Sequence, residues 1–152
     1  MKNKVFIAAA SGLLVAALAT QPNAAGHSPT EKREAIMSDV GKSTKTIGDM
    51  LKGTTDFDAA AANAALVSMR EGVEGFVDLY PEGTEGETTN KYLAAPAVWT
   101  DRAGFEAESA KFEAALDTAI AANVQDKEAL AAVFGAVGQS CRSCHEGYRV
   151  QK

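Results

Sequence analysis

The stretch Cys141-Arg142-Ser143-Cys144-His145 lies near the end of this 152-residue chain and decides how the rest of the chain is interpreted. Cys-x-x-Cys-His is the attachment signature of a c-type haem: two thiols form thioethers and the adjacent imidazole ligates the iron. On a helix, Cys144 and His145 lie three and four positions beyond Cys141, so all three share one face. The motif therefore predicts haem c attached at Cys141 and Cys144, with His145 as an iron ligand.

Two other chemistries use closely spaced cysteines. A disulfide or redox dithiol is one, but a dithiol oxidoreductase is expected to show a βαβ pattern around the motif, and none is visible. A zinc site is the other, but it needs further ligands, and the only other histidine in the chain is His27, with no third cysteine. His27 also precedes the first predicted helix and lies close to the N-terminus that cleavage of a signal peptide would create. Chain ends are usually disordered, which argues against His27 as a haem ligand.

Residues 1–25 have the features of a secretory signal peptide. Lys2 and Lys4 precede a mostly apolar run over 5–19, and Asn23-Ala24-Ala25 supplies small residues for cleavage. The run is too short for a comfortable bilayer span, which makes an uncleaved anchor the weaker alternative. Because haem c is attached outside the bacterial inner membrane, we expect a periplasmic domain over 26–152 without a membrane span.

The chain is acidic, with a formal net charge of -5 that becomes more negative once Lys2 and Lys4 are removed. Binding to nucleic acid requires a basic surface, so the balance argues against such a partner. An acidic surface is compatible with a basic protein partner, although it is more often a matter of solubility.

Apolar residues recur at intervals of three and four through the rest of the chain, with no alternating strand of useful length. A capping box at Ser28-Pro29-Thr30-Glu31 begins a first helix over about 29–52 that ends at Gly53. A second helix runs from Asp56 or Asp58 to about Leu79. After a crossover over 81–96, a third helix begins between 97 and 101 and reaches about 123, and a fourth follows Asp126.

The fourth helix carries an apolar stripe that includes the haem motif: Leu130, Val133, Phe134, Val137, Cys141, Cys144, His145 and Tyr148. Antiparallel bundles of this size bind cofactors between facing helices. The sequence therefore predicts an all-α, antiparallel four-helix bundle with haem c bound inside, near the C-terminal helix.

A haem motif in the last helix, continuing as Cys-x-x-Cys-His-x-x-Tyr-Arg, resembles the class II c-type cytochromes. These are the cytochrome c′ family and its low-spin relatives of the cytochrome c-556 type. The segments Pro81-Glu82-Gly83-Thr84-Glu85-Gly86, Pro96-Ala97-Val98-Trp99 with Phe105, and Leu51-Lys52-Gly53 with Phe57-Asp58 support the resemblance by their order and spacing. It extends over about 28–152.

The resemblance implies further roles. His145 is the proximal axial ligand, and Arg149 lies near the proximal face, unless it only complements a helix C-terminus. Arg33, Trp99 and Tyr148 belong to the haem pocket, although core packing is compatible with this position and accounts for most of the role of the two aromatic residues.

Met37 is the implied residue on the open side of the iron. If its sulfur ligates, the haem is low-spin and suited to electron transfer; if it only covers the iron, the protein binds nitric oxide or carbon monoxide. Met37, Gly41, Thr44 and Gly48 form a track of mostly small residues where a flat ring can approach closely, which favours ligation. A gap-filling core role for Met37 is the plain alternative.

We therefore predict a periplasmic monohaem electron carrier, with a five-coordinate, gas-binding protein as the alternative. No carboxylate pair or second core histidine is placed for acid-base catalysis, so an enzyme is not expected. Redox proteins are the expected partners, without identities, and the family includes homodimers as well as monomers.

Overall fold

The structure of the protein is a computed structural model, in which residues 28–151 are described, so the predicted signal peptide and His27 lie outside the described residues. Four long helices form the body: α1 (Pro29–Lys52), α2 (Ala59–Gly72), α4 (Arg102–Ala121) and α5 (Lys127–Tyr148). The shorter elements are a 3-10 helix (Phe76–Leu79), β1 (Tyr92–Ala94), α3 (Ala97–Thr100) and β2 (Arg149–Gln151). No helix within 28–151 has the length and apolar character needed to cross a bilayer.

The long helices pack as an antiparallel bundle, as predicted. α1 packs on α2, α2 on α4 and α4 on α5, while α1 also contacts α5. The core consists of large side chains projected inward by all four helices, among them Ile47, Leu66, Met69, Leu116, Leu130 and Val137. Because α1 and α5 are antiparallel, the beginning of α1 lies beside the haem motif at the end of α5.

The ends of α1 and α5 follow the predicted capping residues. The Ser28 hydroxyl accepts from the Glu31 amide at 3.2 Å, and the Glu31 carboxylate accepts from the Ser28 amide at 2.7 Å. Gly53 ends α1 with a left-handed φ of 74°. Asp126 caps α5 by accepting from the Ala129 amide at 2.7 Å. These contacts satisfy terminal amides that have no partner within the helix.

The prediction of one continuous second helix to Leu79 is wrong. The α-helix ends at Gly72, and Gly75 adopts a left-handed φ of 67° before the 3-10 helix begins. Glycine makes this reversal inexpensive because it has no Cβ to clash. The break still leaves Val73 and Phe76 buried, so the apolar pattern continues across it.

The third predicted helix is divided in two at Asp101. α3 ends there, and the Asp101 side chain caps α4 by accepting from the Gly104 amide at 3.3 Å. The Asp101 side chain that caps α4 thus marks an interruption of the helix that apolar periodicity does not reveal.

The structure also contains a small antiparallel sheet that the sequence analysis missed. β1 pairs with β2 in the register Tyr92↔Gln151, Leu93↔Val150 and Ala94↔Arg149. Three-residue strands are too short to show an alternating pattern. The sheet joins the crossover segment to the end of the chain, directly beyond the haem motif.

Candidate haem site

A cavity lies between α1, α4, α5 and the segment around the 3-10 helix. Four of the predicted site residues line it together: Met37 from α1, and Cys141, Cys144 and His145 from α5. The remaining lining residues are Val40, Val73, Phe76, Phe105, Ser109, Phe112 and Ser140. The structure therefore brings the predicted attachment residues and both candidate iron ligands to one place.

The cavity is chemically suited to a haem. Its walls are mostly aliphatic and aromatic, with Ser109 and Ser140 as the only hydroxyl groups among the lining residues. A porphyrin presents a large apolar face, whose burial against such walls is favourable. Cys141 and Cys144 are half-buried and are not bonded to each other. Both thiols are thus available at the cavity wall to form thioethers.

The cavity wall also affects protonation in the unattached polypeptide. Burial raises the pKa of Cys144 to about 11, with nearby Glu108 and Cys141 adding to the effect, so this thiol is protonated near neutral pH. Burial also raises the pKa of Cys141. Burial lowers the pKa of His145, and the positive charge of Arg149 lowers it further. The neutral imidazole that results is the form able to ligate a metal ion.

A hydrogen bond between α4 and α5 holds the middle of the haem motif. Ser143 Oγ donates to Glu108 Oε2 at 2.5 Å, and Lys111 Nζ donates to Glu108 Oε1 at 2.5 Å. Hydrogen bonds from Lys111 and Ser143 lower the pKa of Glu108, which keeps the carboxylate charged. Sequence reasoning missed Glu108, because its partner Ser143 lies 35 positions away and no local pattern joins them.

Arg33 does not line the cavity. It is only 5% exposed, and its guanidinium donates to the carbonyl oxygens of Leu79, Thr84 and Glu87 at 3.3, 3.4 and 3.0 Å. It also donates to the Thr84 hydroxyl at 3.3 Å and stacks 4.7 Å from the centre of the Tyr80 ring. In the structure, Arg33 therefore holds the crossover segment against α1.

Trp99 and Tyr148 lie in an aromatic cluster behind the cavity wall. Tyr80 makes edge-on contacts with Trp99 and with Phe105, which lines the cavity, and Phe105 also contacts Tyr148. Each polar end has a partner: Trp99 Nε1 donates to the Pro81 carbonyl at 3.1 Å, and Tyr148 Oη donates to Asp101 Oδ2 at 2.8 Å. Both residues support the wall without lining the cavity.

Arg149 is exposed in β2, and its guanidinium stacks 4.4 Å from the centre of the Tyr92 ring. Gly41 and Thr44, from the small-residue track of α1, are also exposed and do not line the cavity. Of that track, Met37 alone belongs to the cavity wall.

Among residues 28–151, no group of three or more His, Cys, Asp or Glu side chains is arranged to hold a metal ion. The helical bundle, the covalent attachment signature on its last helix and the apolar cavity beside it together define a c-type cytochrome of the helical class.

Comparisons with known proteins agree with this class. A family model described as Cytochrome C′ matches residues 28–149. A cytochrome c-556 of Rhodopseudomonas palustris is 30% identical, covering 98% of this chain and 97% of the relative. A cytochrome c′ of Cereibacter sphaeroides is 37% identical, covering 80% and 83%. The chain belongs to the cytochrome c′ family of class II c-type cytochromes, and it is a monohaem cytochrome with haem c as its cofactor.

The fold agrees with solved structures as well. The cytochrome c′ structure from Rhodopseudomonas palustris superimposes with a TM-score of 0.76 at 31% identity, covering 84% of this chain and 99% of that one. The predicted four-helix bundle and its family are thereby confirmed.

Proposed function

We propose that this chain is a periplasmic electron carrier in which Cys141 and Cys144 attach one haem c, and His145 and Met37 ligate its iron. The observation that carries the proposal is that a thioether from α1 and an imidazole from α5 line the same cavity as the two thiols. Arg33, Trp99, Tyr148 and Arg149 are proposed to support the haem surroundings rather than to bind iron.

The residues of the chain have distinct tasks in this function. Cys141 and Cys144 prevent the cofactor from dissociating, and the neutral imidazole of His145 supplies a strong nitrogen ligand. Phe76, Phe105 and other apolar lining residues exclude water. When bound, the haem supplies a one-electron change between ferric and ferrous iron. A Met37 thioether would stabilise the ferrous form and raise the reduction potential.

A five-coordinate protein that binds nitric oxide or carbon monoxide is the second candidate. This candidate is supported by the relatives named cytochrome c′, because the chain matches them as well as it matches those named cytochrome c-556. The two functions differ in one bond, the bond between Met37 sulfur and iron.

Replacing Met37 with leucine tests that bond, because leucine keeps the volume and removes the sulfur. For the Met37→Leu holoprotein we expect a change from low-spin to high-spin absorption bands in both oxidation states. We also expect the ferrous protein to gain rapid carbon monoxide binding. Met50→Leu, a buried methionine outside the cavity, is the control and is expected to keep the wild-type spectra.

High-spin spectra in the wild-type protein, unchanged by Met37→Leu, would instead support the gas-binding function.

The periplasmic address is tested separately, by fractionating cells that express the full chain and determining the N-terminus of the haem-containing product by mass spectrometry. We expect the product to begin after about residue 25. A haem-containing product that retains residues 1–25 would contradict the export proposal.

A further inference from the structure

A second depression, an open groove between α1 and α5, shares no lining residue with the haem cavity. Leu51 of α1 and Ala131 and Phe134 of α5 form the apolar walls, and Gly135 and Gly138 form the floor. We call this depression the α1–α5 groove.

Neither the backbone conformation nor the packing of the described residues requires glycine at the two floor positions. Both lie in the interior of α5, where glycine is less stable than alanine. Neither has a positive φ, and a Cβ built at either position meets nothing within 4 Å. A glycine in this setting leaves room for another molecule to approach the helix backbone closely.

Both ends of the groove carry a positive charge. Lys127 and Arg142 line it, about 15 residues apart on α5, which corresponds to roughly 22 Å along the helix. Neither has a hydrogen bond or ion pair with another described residue, and no carboxylate is among the lining residues. On a chain with a net charge of -5, this local excess of positive charge is complementary to an acidic occupant.

We propose that the α1–α5 groove docks an acidic amphipathic segment of a redox partner protein. The apolar side of the segment lies over the glycine floor, and its carboxylates meet Lys127 and Arg142, which is a helix-in-groove mode of recognition. The proposal rests on the electron-carrier function, because Arg142 directly follows the attachment residue Cys141. A segment seated there would hold its parent protein beside the haem-bearing turns of α5.

The test uses the isotope-labelled holoprotein at low ionic strength and a designed amphipathic helical peptide. The peptide has a leucine-alanine face and glutamates about 15 residues apart, and a control peptide has lysines in their place. We expect the acidic peptide to shift the amide signals of Leu51 and residues 131–142. The lysine peptide is expected to leave these signals unchanged.

Variants distinguish binding of the peptide in the groove from non-specific electrostatic attraction to the protein surface. K127Q/R142Q, and separately G138L, which fills the floor, should each weaken peptide binding by about tenfold or more. K32Q/K42Q removes the same charge from exposed lysines of α1 outside the groove and should change binding by less than about twofold. Equal weakening in the two double variants, or amide shifts elsewhere on the surface, would overturn the proposal.

The same samples are reduced and reoxidised with small reagents to test the electron-carrier function independently. A wild-type protein that cycles normally while the peptide fails to seat in the groove would refute docking alone. A protein that binds the peptide but does not cycle between ferric and ferrous states would refute the electron-carrier function instead.

Discussion

At the scale of single residues, Arg33 shows how backbone carbonyls, a hydroxyl and an aromatic ring accommodate a buried charge. Its guanidinium donates to three backbone carbonyls and one hydroxyl and packs on the face of Tyr80. The planar fork of arginine suits several acceptors at once, whereas the compact ammonium of lysine does not. Arg33 therefore fixes the position of the segment that follows the 3-10 helix.

We expect Arg33→Gln to lower the free energy of unfolding by about 2 kcal/mol, because it removes the charged donor from the part-buried bonds to the Leu79 and Glu87 carbonyls. Arg33→Lys should recover only part of the loss. Urea unfolding of the holoprotein measures the effect. Arg70→Gln is the matched control, since Arg70 forms only partly exposed ion pairs with Glu113 and Asp117 and should cost less than about 1 kcal/mol. Equal losses in both variants would contradict the assigned role.

Gly104 is a second residue whose importance depends on a contact distant in sequence. A Cβ at this position would collide with the Asp101 carboxylate and the Tyr148 hydroxyl, which are hydrogen-bonded to each other across it. The absence of a side chain therefore permits the bond between the start of α4 and the end of α5.

Gly104→Ala should accordingly lower the free energy of unfolding by about 1–3 kcal/mol through overpacking. Gly135→Ala, where the added methyl meets nothing within 4 Å, should raise it by up to about 1 kcal/mol. Thermal unfolding of the two holoproteins measures both changes. An increase in the free energy of unfolding in both variants would show that helix propensity outweighs the contact with Tyr148.

At the scale of elements, the crossover segment between the 3-10 helix and α3 is held by the first turns of α1. Glu34 accepts from the Thr89 amide at 2.8 Å and from the Thr88 hydroxyl at 2.7 Å, and it also accepts from the Thr89 hydroxyl. Burial by itself raises the pKa of Glu34, but these hydrogen bonds outweigh burial and lower the pKa below its ordinary value of 4.5.

The lowered pKa gives this contact a defined pH dependence. Glu34 contributes its full stabilisation above its ordinary pKa of 4.5, and the contribution is lost as the pH falls through the lower value of the folded protein. We expect the protection of the Thr89 amide from hydrogen exchange to fall over that interval. Glu34→Gln should show weaker protection that does not change with pH there, and Glu31→Gln serves as the control. An identical pH profile in Glu34→Gln would contradict this assignment.

At the scale of the whole molecule, the haem cavity is enclosed by residues from most of the bundle. Its walls include Met37, Val73, Phe112 and Cys141, which lie in four different parts of the chain. A cavity that is not filled loses packing contacts on every wall, and such losses commonly reach several kcal/mol. The covalently attached haem is therefore expected to be part of the core as well as the redox group.

We expect the Cys141→Ala/Cys144→Ala double variant to be largely unfolded or degraded. Its recovery and the sharpness of its amide signals measure the effect. Ser143→Ala is the control, because it keeps both cysteines and loses only the hydroxyl that donates to Glu108 and to the Ser140 carbonyl, at a cost of about 1 kcal/mol. Recovery of a well-packed, haem-free double variant would show that the bundle does not need its cofactor to fold.

The sequence alone determined the features that are encoded locally. Capping residues and Gly53 placed the limits of α1 and the start of α5, because they act within one helical turn. Apolar periodicity identified the four long helices, and Cys141, Cys144 and His145 share one face because of their spacing. The cofactor and the bundle follow from these local patterns.

Only the tertiary structure decided the features that depend on distant partners. The Arg33 cluster joins residues about 50 positions apart, Ser143 meets Glu108 across two helices, and β1 pairs with the last described residues. The same holds for the groove beside Gly138, since α1 must pack on α5 before the groove exists. Local sequence patterns do not specify such contacts, because each depends on how the whole chain brings its elements together.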